Sequence, residues 1–506
     1  MRVLLLYPRF PKSYSSFHTV IELMGKKTHS PPLGLITVAA ILPQEWEFKL
    51  VDLNIREVTE EEWNWAEFVM VSAMLVQRVD FFAQIQEGKR RGKKVAVGGP
   101  YPTAFSDDVA RHSEADYLVL DEGEMTIPQF LAAIERGDKG GVFRSAEKPD
   151  VRGTPFPRYD LLELDAYLEM SIQFSRGCPF QCEFCDIITL YGRKPRTKAP
   201  EQMLRELEYL YECGWRGAVF MVDDNFIGNK RDVEEFLRVL KGWMAEKKYP
   251  FLFYTEASMN LAKYPKLMES MTACNFDSVF VGLETPDAET LTLIKKSQNL
   301  HAPISESIAA IKKAGIHVMA NFVIGFDGEK PGIDRRVIQL VEENALPMPM
   351  FSLLFALPNT ALWHRLKKEG RLLEGDSINQ NTAMNFVPTR PIEEIVDEFL
   401  NVFEELYEPK RYIERNYRHF MQMGKMNRNY ESIPFGWGNL GSSVRVFWLE
   451  GIVRKTRWRF WYYLFKIMRS RPEFTFDYLF YCIVMEHFTK SRDLIRNQVK
   501  AQLPKL

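Results

Sequence analysis

The stretch Ser175-Arg-Gly-Cys-Pro-Phe-Gln-Cys-Glu-Phe-Cys-Asp186 decides how the rest of the chain is interpreted. It follows a short β-like run and places Cys178, Cys182 and Cys185 in a C-x3-C-x2-C spacing. Cysteine thiolates hold iron–sulfur clusters, and a cubane of four irons ordinarily takes four protein ligands. Three closely spaced thiols without a nearby fourth predict a [4Fe-4S] cluster with one iron open to a small molecule.

A zinc knuckle is the alternative interpretation of the same thiols. Zinc prefers a closed tetrahedron of four Cys or His ligands, and the nearest histidines, His112 and His301, are far away in the sequence. The remaining cysteines lie in apolar surroundings and are interpreted as buried hydrophobic side chains. The spacing therefore favours the iron–sulfur interpretation.

Length and composition predict a globular protein of several domains. The chain has 506 residues, of which 46% are hydrophobic and 26% charged, with a net charge of −1. Two or three domains are expected at this length, and the charge gives no reason to expect nucleic acid. No apolar run approaches the roughly 18 residues that span a bilayer. A cysteine-bound cluster needs a reducing compartment, so we expect a cytoplasmic protein.

Residues 1–145 alternate between apolar β-like runs and helical runs. We predict strands at 3–7, 49–52, 68–72, 94–98 and 117–120, with helices near 34–43, 78–92, 103–113 and 124–136. This alternation indicates an α/β, doubly wound (Rossmann-like) domain. Its ligand is expected beyond the carboxyl ends of the strands, which carry Ser72, Met74, Gly98, Gly99, Glu122 and Gly123.

The rest of the chain divides into three further parts. Residues 146–170 are rich in Gly, Pro and charge, and are predicted to be a linker. Residues 171–370 resume the β–α alternation, with strands expected near 171–175, 217–222, 250–256, 277–282, 316–323 and 350–355. Residues 371–506 lack β–α alternation and predict a helical C-terminal domain.

The cysteine loop resembles that of the radical S-adenosylmethionine (SAM) superfamily, because Gly177 and Phe184 complete the family pattern. The resemblance implies a partial (β/α)6 barrel over 171–370 and an open iron that chelates the amino and carboxylate groups of SAM. It also implies reductive cleavage of SAM to a 5'-deoxyadenosyl radical, with electrons from an external donor such as flavodoxin or ferredoxin.

The same resemblance implies which residues contact SAM. Asn225 aligns with the Glu of the family's Gly-Gly-Glu motif and brings no charge of its own, so Asp223 or Asp224 is expected to supply it. Carboxylates after the next strands suit the ribose hydroxyls, and Arg176 suits the SAM carboxylate. The remaining candidates are Glu256, Ser258, Glu284, Asn321 and Gly325. Taken singly, each carboxylate has an alternative role in a helix cap or an internal ion pair.

The N-terminal domain resembles cobalamin-binding domains, in which a Ser-x-Leu turn and a Gly-Gly turn hold the nucleotide tail. Here the turns are Ser72-Ala-Met74 and Gly98-Gly99. The D-x-H-x-x-G loop that supplies a cobalt ligand is absent, since Tyr7 to Met24 offers only His18. The resemblance therefore implies cobalamin bound without a protein His on cobalt. The alternative is a flavodoxin-like domain without a ligand.

The C-terminal stretch 445–466 is dense in aromatic residues and arginine. Residues 441–506 contain 13 Lys or Arg against 5 Asp or Glu. Such a segment can lie in a membrane interface. The alternative, a tail helix packed on the barrel with its arginines in water, is the favoured interpretation for most of it.

Together these motifs resemble the cobalamin-dependent radical SAM methylases, most closely those similar to hopanoid C-2 methylases. The resemblance implies hydrogen abstraction from an unactivated carbon and methyl transfer from methylcobalamin, on a small hydrophobic substrate such as a hopanoid or isoprenoid. Three alternatives stay open. They are methylation of a tetrapyrrole side chain, a non-methylating radical SAM cyclisation, oxidation or rearrangement, and a non-enzymatic iron–sulfur sensor.

Overall fold

The computed structural model describes two compact units. The described residues are 1–373, 384–426, 428–429 and 437–502. Parts of the predicted C-terminal domain, including residues 374–383 and 430–436, lie outside them. The first unit comprises residues 1–11, 27–179 and 186–215, and the second comprises 12–26, 180–185 and the described residues from 216 onward.

The secondary structure alternates as the sequence predicts. The strands are β1 Arg2–Tyr7, β2 Glu47–Asp52, β3 Phe68–Ser72, β4 Lys94–Gly98, β5 Tyr117–Val119, β6 Gly141–Phe143, β7 Met170–Ile172, β8 Ser175–Arg176, β9 Arg196–Thr197, β10 Gly217–Met221, β11 Phe251–Glu256, β12 Phe276–Glu284, β13 His317–Ile324 and β14 Pro349–Leu353. The helices are α1 His18–Leu23, α2 Leu33–Ile41, α3 Glu60–Trp65, α4 Arg78–Arg90, α5 Pro100–Ala104, α6 Ser106–His112, α7 Gly123–Glu135, α8 Ile187–Leu190, α9 Pro200–Glu212, α10 Lys230–Glu246, α11 Pro265–Ala273, α12 Ala288–Leu293, α13 Ile304–Lys313, α14 Ile333–Glu343, α15 Ala361–Lys368, α16 Ile392–Leu406, α17 Pro409–Gln422, α18 Trp437–Trp448, α19 Arg457–Ser470 and α20 Thr475–Gln502.

The first unit is built on a parallel sheet with the strand order β2-β1-β3-β4-β5-β6. Its inner strands are buried along nearly their whole length, as expected when both faces of a sheet are covered. The order reverses between β1 and β3, and doubly wound sheets bind ligands at such a switch point. The predicted doubly wound α/β domain is confirmed, with β6 as an additional edge strand.

The segment predicted as a linker packs firmly within the first unit. It forms short 3-10 turns, and the rings of Tyr159 and Tyr167 are fully buried. The Tyr159 hydroxyl donates to the carbonyl of Ser171 at 2.8 Å. A segment rich in Gly and Pro is therefore held in place here by two tyrosine anchors.

The second unit contains a parallel sheet in which consecutive strands are neighbours, from β10 through β14. Helices alternate with these strands and bury one apolar face each. In α10 that face consists of Val233, Phe236, Leu237, Leu240, Trp243 and Met244, at helical spacing. The β–α alternation predicted for this region is confirmed, and the ends of β10 to β14 differ from the predictions by no more than two residues. The strand predicted at 171–175 is β7, Met170–Ile172, which ends three residues earlier.

Helices α16, α17 and α20 pack within the second unit through buried polar contacts. Arg415 is fully buried and donates to Glu342 Oε1 and to the carbonyl of Leu406, each at 2.7 Å. The rings of His317 and His419 meet at 2.8 Å between Nδ1 and Nε2. Among the described helices, none is long and apolar enough to cross a bilayer.

Candidate active site at the strand ends

The residue before the first cysteine has to be glycine. Gly177 has φ 95°, and a Cβ there would lie 2.9 Å from the carbonyl oxygen of Gly192 and 3.0 Å from that of Lys194. The next residue, Cys178, donates its backbone N–H to the same Gly192 oxygen at 3.3 Å. The loop can approach this turn so closely only without a side chain.

The second half of the cysteine loop is fixed within the second unit. The Glu183 N–H donates to the carbonyl of Ile294 at 3.0 Å, and the Glu183 carbonyl accepts from the Leu362 N–H at 2.9 Å. Its carboxylate pairs with Arg365 at 2.5 Å. The Phe184 ring lies 5.5 Å from that of Phe326. Phe184 therefore anchors the loop on the residues that follow β13.

Two polar side chains after β12 reach the thiols of this loop. Gln298 is buried, and its Nε2 donates to Cys182 Sγ at 3.4 Å. Lys296 places its ammonium 2.6 Å from Glu284 Oε1. Burial lowers the pKa of Lys296. The negative charges of Glu284 and of the Cys182 thiolate outweigh burial, so the pKa of Lys296 lies above its ordinary value. The arrangement puts positive charge and an N–H donor beside the thiols, which suits bound thiolates.

Carboxylates collect at the carboxyl ends of β10, β11 and β12. Asp223 and Asp224 follow β10, Glu256 ends β11 and Glu284 ends β12. Burial and the charge of Asp224 raise the pKa of Glu256 to about 8, against the opposing charge of Lys296. A carboxyl whose pKa is raised in this way suits a cationic ligand, since a nearby cation favours the ionised form of a carboxyl.

Three buried acceptor atoms at these strand ends have no hydrogen-bond donor among the residues that the structure describes. They are Glu284 Oε2, Gln298 Oε1 and Asn299 Oδ1. The Asn299 amide nitrogen is used, because it donates to the carbonyls of Gly282 and Leu283 at 3.0 Å. Buried polar atoms are ordinarily paired, so these acceptors fit a ligand that carries hydroxyl or ammonium donors, as SAM does.

The predicted pair Asn225 and Ser258 is in direct contact. The Ser258 N–H donates to Asn225 Oδ1 at 3.2 Å, and Ser258 Oγ lies at the same distance. Asn225 is buried. The amide oxygen predicted to accept from SAM thus already accepts from the protein.

Asn321 and Gly325 lie on and just after β13. Asn321 is in register with Gly282 of β12 and Met350 of β14. The Gly325 N–H donates to Glu329 Oε2 at 2.9 Å, and burial raises the pKa of Glu329 to about 8. The predicted adenine-contacting residues therefore lie on β13, between β12 and β14, and directly after it.

Arg176 is engaged within the first unit. Its guanidinium pairs with Glu122 at 2.8 Å and with Glu124 at 2.9 Å. Glu122 also pairs with Arg196 at 2.8 Å. The predicted contact of Arg176 with the SAM carboxylate would have to compete with these ion pairs.

The cobalamin-binding candidates lie together at the carboxyl edge of the first sheet. Ser72 and Gly98 end β3 and β4 and are directly in register. A Cβ on Gly98 would lie 2.7 Å from the carbonyl oxygen of Val119, and one on Gly99, where φ is 95°, would lie 2.5 Å from Ser72 Oγ. Met74 is 48% exposed at the same edge. An edge with minimal side chains and an open apolar contact fits a bulky, mostly apolar ring system.

The remaining candidates at this edge differ in whether other residues of the protein already bind them. Gly123 begins α7, whereas the carboxylate of Glu122 is already held by two arginines. His18, in the segment searched for a cobalt ligand, belongs to the second unit, where its ring lies 5.0 Å from that of His487.

Sequence reasoning missed the polar residues that follow β12. Lys296, Gln298 and Asn299 carry no motif, and they lie in a loop and 3-10 turn after α12. Their only signal in the sequence is position, because loops that follow parallel strands carry the sites of barrel enzymes.

Among the described residues, no three His, Cys, Asp or Glu side chains converge as ligands for a single metal ion. In a cubane cluster each thiolate binds a different iron, so the three thiols need not meet at one point.

Family models match three parts of the chain. Residues 27–131 match the B12 binding domain, residues 172–339 match the radical SAM superfamily, and residues 360–501 match a domain of unknown function, DUF4070. The first two matches cover the strand edges on which the cobalamin-binding and SAM-binding candidates lie.

Curated relatives match over most of the chain. An uncharacterized methyltransferase from Synechocystis sp. is 54% identical, covering 99% of this chain and 94% of the relative. The hopanoid C-2 methylase of Rhodopseudomonas palustris is 37% identical, covering 82% of this chain and 78% of the relative. Among solved structures, the radical SAM methyltransferase TsrM from Kitasatospora setae, with cobalamin and a [4Fe-4S] cluster bound, matches with a TM-score of 0.59 at 15% identity, covering 93% of this chain and 99% of that chain.

Proposed function

The chain belongs to the cobalamin-dependent radical SAM methyltransferases, and on that premise we propose that it methylates an unactivated carbon of a flat, hydrophobic substrate of the hopanoid or isoprenoid type. Its cofactors are a [4Fe-4S] cluster, SAM and cobalamin. When bound, the cluster and SAM supply a radical that removes hydrogen from the carbon, and methylcobalamin supplies the methyl group. The likeness to a hopanoid C-2 methylase supports the substrate class.

One observation carries the assignment of the SAM site. Asp224, Glu256 and Glu284 place three carboxyl groups at the strand ends beside Lys296 and the Cys182 thiol, and the buried acceptor Glu284 Oε2 has no donor among the described residues. In the proposed complex these carboxylates bind the ammonium and ribose groups of SAM. Gln298 keeps an N–H aimed at Cys182 Sγ, and Cys178, Cys182 and Cys185 are the ligands of three irons.

The first unit has a different task in this proposal. The backbone at Gly98 and Gly99 approaches the nucleotide end of cobalamin, and Ser72 is available as a hydrogen-bond donor. Met74 supplies apolar contact. No histidine of this unit is assigned to cobalt.

The proposal includes two partners besides the substrate. A flavodoxin or ferredoxin supplies electrons in the cytoplasm, where thiols stay reduced. The C-terminal basic and aromatic region supplies a peripheral contact with the membrane, where a lipid-like substrate would be found.

The test is product analysis with anaerobically reconstituted protein. With SAM, reductant and cobalamin, a lipid extract from cells that lack the gene should yield both 5'-deoxyadenosine and S-adenosylhomocysteine, together with a lipid heavier by one methylene unit. Cys182→Ala should abolish 5'-deoxyadenosine formation. Deoxyadenosine alone would contradict methyl transfer, and methylation of a pigment extract alone would favour the tetrapyrrole alternative.

A further inference from the structure

Helix α19 has two apolar faces, of which only one is packed. Phe460, Leu464 and Ile467 are buried at helical spacing. On the opposite side lies a second row at spacings of three, one, three and three residues, which we call the aromatic stripe: Trp458, Trp461, Tyr462, Phe465 and Met468. Trp458 is 74% exposed and Phe465 67% exposed. A packed helix needs one apolar face, and Trp458, Phe465 and Met468 of the stripe are each more than half exposed in the described fold.

The stripe continues onto the turn that precedes α19. Trp461 donates its indole N–H to the carbonyl of Gly451 at 2.9 Å and stacks on Phe447 at 5.7 Å. Ile452 and Val453, which follow Gly451, are both more than half exposed. The exposed apolar surface therefore extends beyond a single helix.

Basic residues accompany this surface. From 445 to 471 the chain has eight Lys or Arg and a single acidic residue, Glu450. Glu450 is buried, and burial raises its pKa to about 9, so it is protonated at neutral pH. Arg459 and Lys466 lie on one flank of the stripe, and the Lys466 ammonium lies 4.4 Å from the Tyr462 ring centre. Long basic side chains beside an apolar face can extend their charges to the level of lipid headgroups.

We propose that the aromatic stripe docks the protein on an anionic phospholipid surface, with Trp458 and Phe465 inserted at the headgroup boundary. Trp, Tyr and basic residues together are typical of helices that lie in a membrane interface. Two copies of the chain would bring like charges together at this face, which disfavours self-association through it. The inference rests on the proposed function only for its purpose, namely access to a lipid substrate.

The test is vesicle flotation of the full-length protein without turnover. On vesicles of phosphatidylcholine mixed with phosphatidylglycerol, we expect partitioning about tenfold stronger than on phosphatidylcholine alone, weakened by added salt. Trp458→Gln combined with Phe465→Gln should lower partitioning about tenfold or more. The matched control is Val79→Gln with Val142→Gln, two exposed apolar residues of the first unit, which should change nothing.

Several outcomes would overturn the inference. These are equal flotation of wild type and the stripe variant, no flotation, dimerisation that the stripe variant abolishes, or binding only to an acidic protein. Unfolding temperature and 5'-deoxyadenosine formation without vesicles should stay at wild-type values in the stripe variant, which excludes misfolding. Flotation without methyl transfer would count against the proposed function alone, whereas methyl transfer without flotation would overturn the docking surface alone.

Discussion

The two parallel sheets carry candidate sites at their carboxyl edges, but the edges are built differently. In the first unit the edge consists of glycines and a serine, and the nearby carboxylate of Glu122 is neutralised by Arg176 and Arg196. In the second unit the edge carries the carboxyl groups of Asp224, Glu256 and Glu284, the ammonium of Lys296 pairs with Glu284, and three buried acceptors there have no donor among the described residues.

The difference follows from the proposed ligands. A corrinoid is large and mostly apolar, so it needs the backbone to come close and gains little from charge. SAM is small and carries a sulfonium and an ammonium, so carboxylates bind it, and the raised pKa of Glu256 falls when it binds. The position at a strand end does not by itself specify which ligand binds. The side chains at that end determine the ligand.

The largest effect is expected from filling the glycine edge. Gly99→Ala places a Cβ 2.5 Å from Ser72 Oγ in a backbone conformation with φ 95°. We expect at least about tenfold weaker cobalamin binding and a loss of about 2 kcal/mol in the free energy of unfolding, because strain and clash add. Corrinoid absorbance per protein and urea unfolding are the measurements.

The control for this variant is Gly137→Ala, where φ is 79° and no atom lies within 4 Å of the added Cβ. It carries the strain without the clash and should keep full cobalamin binding. Equal cobalamin content in both variants would contradict the assignment of the glycine edge.

The next effect concerns proton linkage at the acidic edge. Glu256 has a pKa of about 8 in the free protein, and a bound cation should lower it. Binding then releases a proton, so SAM affinity should rise with pH up to about 8, by as much as about tenfold per pH unit. Isothermal titration in buffers of different ionisation enthalpy measures the released proton.

The SAM ammonium itself titrates near pH 8 and also makes SAM affinity depend on pH. The contribution of Glu256 is therefore the difference in the pH dependence of SAM affinity between wild type and Glu256→Gln. The control is Glu450→Gln, which removes another carboxyl of high pKa, in the C-terminal extension. The same pH slope in wild type and Glu256→Gln would remove Glu256 from the SAM site.

A smaller effect is expected at the cluster itself. Gln298→Leu removes the N–H that donates to Cys182 Sγ. Loss of one hydrogen bond to a cluster sulfur should lower the midpoint potential by about 40 mV, equivalent to about 1 kcal/mol. Redox titration followed by electron paramagnetic resonance gives the potential. Asn299→Ala, which loses donors to backbone carbonyls only, should leave it unchanged, and an equal shift in both variants would contradict a direct role for Gln298.

The smallest effect is expected at the neutralised carboxylates of the first unit. Burial raises the pKa of Glu124, but the Arg176 guanidinium lowers it by more, so the pKa of Glu124 lies below its ordinary value. The stabilisation is present at neutral pH and is lost as pH falls below about 4.3. Glu124→Gln should cost about 1 kcal/mol at pH 7 and flatten the acid limb of the stability curve, leaving SAM affinity unchanged. A change in SAM affinity would instead indicate that the Arg176 pairs form part of the SAM site.

The strands were predictable because they are short apolar runs bounded by turn residues. Strands β3 and β4 match the predicted limits, and β12 extends the prediction by one residue at its start and two at its end. Strand β6 was missed, because a three-residue edge strand without a fully buried side chain has no apolar pattern.

Long-range packing was not predictable in the same way. Residues 12–26, which the sequence places in the N-terminal domain, belong to the second unit. There Tyr14 bonds to the backbone of Phe351, and Phe17 stacks on His487 at 5.1 Å. Such contacts join residues hundreds of positions apart, and neither partner carries a local signal of the other.

The C-terminal region divides between the two interpretations of its sequence. The buried row of α19 agrees with a packed helix, whereas its second row is exposed. The aromatic and arginine-rich stretch 445–466 contains a π-helical turn at Leu449–Val453, so α18 and α19 are separate helices. Helical periodicity identifies apolar faces but cannot tell which of two faces is covered.

The sequence by itself predicted the iron–sulfur cluster and the parallel α/β architecture, because thiol spacing and apolar runs are local patterns, and its resemblance to a known family implied SAM and cobalamin. Only the tertiary structure decided the surroundings of those patterns: that Gln298 donates to Cys182, that Lys296 is the counter-ion of Glu284, and that the carboxylate of Glu122 is held by arginines. The physical reason is that hydrogen bonds, charge balance and burial depend on distances between residues remote in sequence, and those distances exist only after the chain has folded.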